Sequence, residues 1–248
     1  MLGKFIFCGK IYEGEFEIKN EFVYFDGEEI PIKFVKFLPP VNPSKIVAVG
    51  LNYIDHAREL SMPPPEEPVL FLKPSTAVVG DGDPIILPEV GRVDYEGELA
   101  VVIAKKCKNV SSDEAKNYIL GYTCFNDVTA RELQYKDVQW TRAKSFDTFA
   151  PIGPYIAKLS DPRNLAITTR VNGKVVQKSN TSNMIFNVYR LVSFISSVMT
   201  LNAGDVIATG TPSGVGELKY GDIVEVEIEK IGILRNFVYK KIETSCVC

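Results

Sequence analysis

The run Val93-Asp94-Tyr95-Glu96-Gly97-Glu98, three acids with no interleaved Lys or Arg, leads directly into the apolar segment Leu99-Ala100-Val101-Val102-Ile103. Side chains alternate faces along a strand, so Asp94, Glu96 and Glu98 would share one face while Tyr95 and Leu99 point the other way. Same-face carboxylates about 7 Å apart repel by roughly 2 kcal/mol per pair at an effective dielectric of 20, so such a row beside a buried run calls for a compensator. A divalent cation is one solution, and an exposed strand end with solvated acids is the other. A further acid, Asp127, ends a second strand-like stretch (Tyr122 to Asn126), and the single histidine, His56, lies in a helix-compatible motif upstream. Both observations favour the cation.

The chain has 248 residues, is 46% hydrophobic and 24% charged, and carries a net charge of −3, so it can bury a sizeable core. No basic cluster suggests nucleic acid, and no apolar run reaches the roughly 18 residues of a membrane span. The five cysteines are odd in number and lack metal-site spacing, as in a reducing compartment. A cytoplasmic protein without membrane or nucleic-acid partners is therefore expected. Cys246-Val247-Cys248 reads as a frayed tail.

Short β-prone pieces (Lys4 to Phe7, Glu15 to Ile18, Phe22 to Phe25) are separated by Gly14, Asn20 and Asp26-Gly27, and Pro39-Pro40-Val41-Asn42-Pro43 follows. This predicts a small N-terminal β domain over residues 1–41 and a main domain over 42–248. Lys45 to Val49 predicts a buried strand. The helix-compatible Tyr53 to Leu60 beyond it would put His56 and Glu59 on one face, between Gly50 and Pro63-Pro64-Pro65, as in a hinged lid.

Val69 to Leu72 predicts another strand, turning at the polar corner Lys73-Pro74-Ser75-Thr76, which can hold an anion. Ser111 with Glu114, and Thr129 with Glu132, have capping-box spacing; the second would start a helix just after Asp127. The only tryptophan, Trp140, lies near Arg142 and Lys144 in an aperiodic stretch that suggests a ligand-facing loop. Asn172-Gly173 predicts a type I′ hairpin. Apolar residues from Met184 to Met199 recur at helical spacing, predicting a long helix opened near Thr181 or Ser182. Finally, the glycine-rich loop Gly210 to Gly216 follows a strand, and its backbone N–H groups could cradle a carboxylate or phosphate.

Six motifs then occur in one order: Gly50-Leu51-Asn52-Tyr53 through His56 to Glu59; Phe71-Leu72-Lys73-Pro74-Ser75; Asp94-Tyr95-Glu96-Gly97-Glu98-Leu99; Phe125-Asn126-Asp127-Val128-Thr129-Ala130-Arg131; Lys144-Ser145-Phe146-Asp147; and Gly210-Thr211-Pro212. Together, over about Ser44 to Ile231, they resemble the fumarylacetoacetate hydrolase family. The resemblance implies an α+β, mostly β fold, a mixed β-roll with flanking helices and here a small N-terminal β cap, assembled as a homodimer. It implies Mg²⁺ or Mn²⁺ held by Glu96, Glu98 and Asp127, an all-oxygen set suited to a hard cation, with Asp94 beside the ligands. His56 and Glu59 would activate water, and Lys144 would stabilise an oxyanion. Arg131, Gln134, Thr211, Lys73 and Ser75 would contact a small oxo-acid substrate.

The resulting expectation is a metal-dependent hydrolase that cleaves a C–C bond in an acylpyruvate-like oxo acid. An isomerase or decarboxylase of a related oxo-dicarboxylate, such as 2-hydroxyhepta-2,4-diene-1,7-dioate or oxaloacetate, is the first alternative. A metal-stabilised binding protein without turnover is the second; the presence of both His56 and Lys144 beside the triad speaks against it.

Overall fold

The structure, a computed structural model, describes residues 1–240, so the Cys246 to Cys248 tail lies outside the described residues. Gly97–Ile103 is buried along its whole length and forms the middle of a ten-stranded sheet. It pairs antiparallel with Ile119–Asn126 on one side and Val206–Ala208 on the other. Val206–Ala208 continues in parallel to Ile46–Gly50, which pairs antiparallel with Val69–Lys73. On the far side, Ile119–Asn126 leads through Ala150–Ala157 to Leu2–Phe7 and Lys10–Glu15.

Burial on both faces explains why Leu99 to Ile103 is continuously apolar rather than alternating. Leu99, Val101 and Ile103 pack with Ile167, Val226 and Ile228 of a second, five-stranded sheet and with Leu191, Val192 and Ile195 of a helix. Ala100 and Val102 face the opposite way, towards Phe125, Ile152 and Ile156. The fold is mostly β with flanking helices, as the sequence predicts: α1 (Ile54–Glu59), α2 (Arg131–Lys136), α3 (Thr141–Lys144) and α4 (Val188–Val198), of which α3 falls in the aperiodic stretch that the sequence reads as a loop. No helix among the described residues is long and apolar enough to cross a membrane.

The N-terminal strands Glu17–Lys19, Phe22–Phe25 and Glu28–Pro31 form their own sheet over a core containing Phe5, Phe16, Val23 and Ile30. Leu2–Phe7 ties this region to the main sheet by pairing with Ala150–Ala157. The hairpin forms at Asn172-Gly173, both at positive φ, between Ala166–Val171 and Lys174–Asn180.

Three predicted helix starts differ. The Ser111–Glu114 spacing precedes only a 3₁₀ turn, Ala115–Tyr118, with the Ser111 hydroxyl donating to Glu114. α4 opens at Val188, where the Asn187 side chain accepts from the Tyr189 and Arg190 N–H groups; Thr181–Asn183 is a separate 3₁₀ turn, and Met184 bridges to Tyr53. Thr129 does not cap α2. It lies in a short strand opposite Asp94, and its hydroxyl donates to the Asp127 carbonyl.

Candidate active site

The strand containing the acid row is interrupted at Glu96, between Val93–Tyr95 and Gly97–Ile103. Asn126 spans the break: its side-chain oxygen accepts from the Glu96 N–H at 2.9 Å, and Gly97 pairs with Asn126 in the ladder. The next residue, Asp127, donates its N–H to the Glu96 carbonyl at 2.8 Å. This local lacing brings Glu96, Glu98 and Asp127 together so that one oxygen from each lies within 4.8 Å of the others. All three are buried. Asp94 is buried too, but the interruption sends its carboxylate elsewhere, to Nε of Arg92 at 2.6 Å and Nε of Arg131 at 2.7 Å.

The triad's charge is unevenly compensated. Lys144 Nζ donates to Glu96 at 3.0 Å and to Asp127 at 2.7 Å, Lys73 Nζ donates to Asp127 at 2.5 Å, and Arg131 pairs with Glu96. Burial pushes the Glu96 carboxyl up, but Lys144 and Arg131 outweigh it and hold the group down to about 2. Burial also opposes the charge on Lys144, yet Asp127 and Glu96 raise its pKa. Glu98 differs: burial, then Asp127 and Glu96, raise its carboxyl well above the usual range. It accepts one hydrogen bond, from the Gly210 N–H at 2.8 Å, and among the described residues no cationic side chain pairs with it. A buried carboxylate left uncompensated beside two others, all with oxygen donors, fits a hard divalent cation.

α1 borders the same site. His56 Nδ1 lies 2.9 Å from Glu59 Oε2, and Glu59 Oε1 accepts from the Gly214 N–H at 3.0 Å. The helix is held at its start by Asp55, one of whose oxygens accepts from the His56 N–H while the other accepts from Ser179 Oγ at 2.5 Å. The glycine-rich loop therefore does cradle carboxylates, but they are the protein's own: Gly210 holds Glu98 and Gly214 holds Glu59. Gly214 has φ +95°, and a Cβ there would collide with the Val176 carbonyl oxygen, so the loop's course is incompatible with a side chain.

His56, Glu59 and the triad line one cleft of about 410 Å³, within the range of small-molecule sites. Lys144, Arg131, Gln134 and Thr211 line it as well, and Trp140, stacked edge-on to Phe71 at 5.3 Å, forms part of its wall. Several of these side chains are already engaged. Arg131 gives its nitrogens to Asp94, Glu96 and Gln134, and the Thr211 hydroxyl donates to the Gly97 carbonyl and accepts from Gln177. Both therefore shape the triad's surroundings. Lys73 is buried, bonded to Asp127 and the Val128 carbonyl, and reaches the site through Asp127. Ser75 is exposed and is not among the cleft-lining residues, because the chain turns away into the 3₁₀ segment Ser75–Ala77.

Two residues that organise the site escape sequence reasoning. Asn52, fully buried, donates to the Phe186 and Thr209 carbonyls and accepts from the Phe186 N–H, fixing the entry to α1. Its place in the Gly50 to Tyr53 motif was the available signal. Arg92 lines the cleft, and a lone arginine before the acid row gives no pattern by which to find it.

Comparison with known proteins adds independent findings. The family model described as "Fumarylacetoacetate (FAA) hydrolase C-terminal" matches residues 45–239. An uncharacterized protein of Archaeoglobus fulgidus is 73% identical over 241 residues, 97% of this chain and 96% of that one. The mitochondrial oxaloacetate tautomerase FAHD2A of Bos taurus is 46% identical over 223 residues, 84% of this chain and 71% of that protein. Among solved structures, 5-carboxymethyl-2-hydroxymuconate delta-isomerase from Mycobacterium smegmatis superposes with a TM-score of 0.90 at 44% identity, covering 98% of this chain and 99% of that one.

Proposed function

The chain belongs to the fumarylacetoacetate hydrolase family, and from that premise we propose that it is a divalent-metal-dependent enzyme that interconverts the enol and oxo forms of a small oxo acid. The observation that carries this reading is the single oriented base, His56 held by Glu59, lining the same cleft as the carboxylate triad. The names borne by the bovine and mycobacterial relatives, a tautomerase and an isomerase, support it.

Glu96, Glu98 and Asp127 would hold Mg²⁺ or Mn²⁺. When bound, the cation supplies Lewis-acid stabilisation of negative charge at the substrate's oxo oxygen. The chain's own residues handle the proton. With Nδ1–H donated to Glu59, His56 keeps Nε2 free to accept one. Enol-to-oxo conversion moves one proton and one π bond: His56 takes the proton from the enol hydroxyl, the O–H electron pair becomes the C=O π bond, and the former C=C π pair takes the proton back from His56 at the neighbouring carbon. Glu59 stabilises the imidazolium that exists between the two steps. Lys144 and Arg131 hold Glu96 ionised throughout.

C–C hydrolysis of an acylpyruvate-like acid is the second reading, because the same free Nε2 can take a proton from water. One assay panel separates them. With Mg²⁺ or Mn²⁺ the protein is expected to accelerate the loss of ultraviolet absorbance of enol-oxaloacetate without releasing pyruvate. Release of pyruvate from an acylpyruvate would assign hydrolysis instead, and release from oxaloacetate would assign decarboxylation.

A further inference from the structure

The cleft is lined by three lysine or arginine side chains, and two of them are committed. Lys144 is shared by Glu96 and Asp127, and Arg131 by Asp94, Glu96 and Gln134. The third, Arg92, is held by one bond, from Nε to Asp94 Oδ1 at 2.6 Å; among the described residues its two terminal NH₂ groups have no partner. Its side chain is 47% exposed while lining the same cleft, which places a charged fork at the cleft's outer part.

That fork is also rigidly mounted. The Arg92 carbonyl accepts from the Arg131 N–H at 2.8 Å, and Val93 pairs with Ala130. Asp94, fully buried, divides its two oxygens between the two arginines, so each guanidinium is oriented by the same carboxylate. A tethered Nε with free terminal nitrogens is the arrangement that leaves a guanidinium able to receive a planar anion in bidentate fashion. The other charges near it are Glu217 and Glu132. Glu217 opposes Asp94 in the ladder, and a Glu132 oxygen lies 3.4 Å from the Arg92 main-chain nitrogen.

We infer that Arg92 is a specificity-determining residue that receives the second, distal carboxylate of the substrate, making the preferred ligand a 2-oxo dicarboxylate rather than a monocarboxylate. The inference rests on the oxo-acid reading of the cleft and adds to it the residue that selects among oxo acids.

Calorimetric binding to the Mn²⁺-loaded protein tests it, using 2-oxoglutarate and 2-oxoadipate against 2-oxopentanoate and 2-oxohexanoate, which have the same carbon counts and no distal carboxylate. The wild type is expected to prefer the dicarboxylates by about 10- to 100-fold, the worth of a charge-assisted bidentate contact. Arg92→Gln should collapse that ratio towards one while Mn²⁺ affinity is retained, and Arg92→Lys should restore part of it. A ratio that survives in Arg92→Gln overturns the assignment. So does an equal loss of both ligand classes together with Mn²⁺ affinity, which would make Arg92 a support for Asp94 only. Wild-type protein that binds Mn²⁺ but none of the four acids overturns the oxo-acid reading itself, a result distinguishable from either.

Discussion

Glu59 faces His56 with one carboxylate oxygen, 2.9 Å from Nδ1, and the backbone N–H of Gly214 with the other, at 3.0 Å. One side chain thus couples the orientation of the only histidine to the course of the glycine-rich loop. Glu59→Ala should leave the imidazole unoriented and lower kcat by about 10- to 100-fold, the equivalent of a charge-assisted hydrogen bond of roughly 1.5–3 kcal/mol. Steady-state kinetics on enol-oxaloacetate measures this, and an unchanged kcat would remove Glu59 from the proton-transfer unit.

The loop end of the same linkage is testable through Gly214. Gly214→Ala combines a positive φ with a collision against the Val176 carbonyl oxygen, so the loop must move and release Glu59. Urea unfolding is expected to show a loss of about 1–3 kcal/mol, with kcat reduced alongside it. Stability equal to wild type would mean that the loop has another conformation available.

Glu98 links metal, proton and stability. Burial and the neighbouring Asp127 and Glu96 raise its pKa, so the native state holds a proton over a pH window above the ordinary value of 4.5. In that window the folded protein binds more protons than the unfolded chain, and stability falls as pH rises through it. A bound cation replaces that proton, so the rise in Tm on adding Mn²⁺ should be larger at pH 7 than at pH 5. Glu98→Gln should stay folded, lose most metal affinity and lose this pH dependence. Wild-type metal affinity in the mutant would remove Glu98 from the ligand set.

Outside the cleft lining, Asp205 ties Ser44, Lys45 and Asn202 together at the start of Val206–Ala208. Burial raises its carboxyl, but the Asn202 N–H, Lys45 and Ser44 outweigh burial and hold it below the ordinary 3.8. The stability it contributes is therefore complete above pH 3.8 and lost as pH falls through its lower native value. Asp205→Asn should cost about 1.5–3 kcal/mol at pH 7. The gap to wild type should close in acid, as read from urea titrations at a series of pH values.

The triad was legible because its residues carry local signatures. An acid row ran into a buried run, and Asp127 ended the partner strand. What stayed hidden depends on contacts distant in sequence. The glycine-rich loop has the composition of an anion cradle, but only the folded chain shows that Glu98 and Glu59 fill it. Thr129 and Glu132 have capping spacing, yet pairing with Asp94 claims Thr129 for a strand. The apolar periodicity from Met184 to Met199 continues through a segment that is not helical, because Met184 packs by bridging to Tyr53 and not by extending α4. Periodicity reports which side chains are buried, not where a helix begins.

The pH dependence of kcat/KM in wild type and His56→Gln, with Mn²⁺ binding measured on both proteins, tests the assignment of proton transfer to His56 most directly. The wild-type profile for enol-oxaloacetate should carry a rising limb, because only a neutral His56 can accept a proton. His56→Gln should bind Mn²⁺ normally, lose that rising limb and fall in rate by about 10²- to 10⁴-fold, the usual contribution of a positioned general base. A mutant that keeps both the limb and the rate would contradict proton transfer by His56.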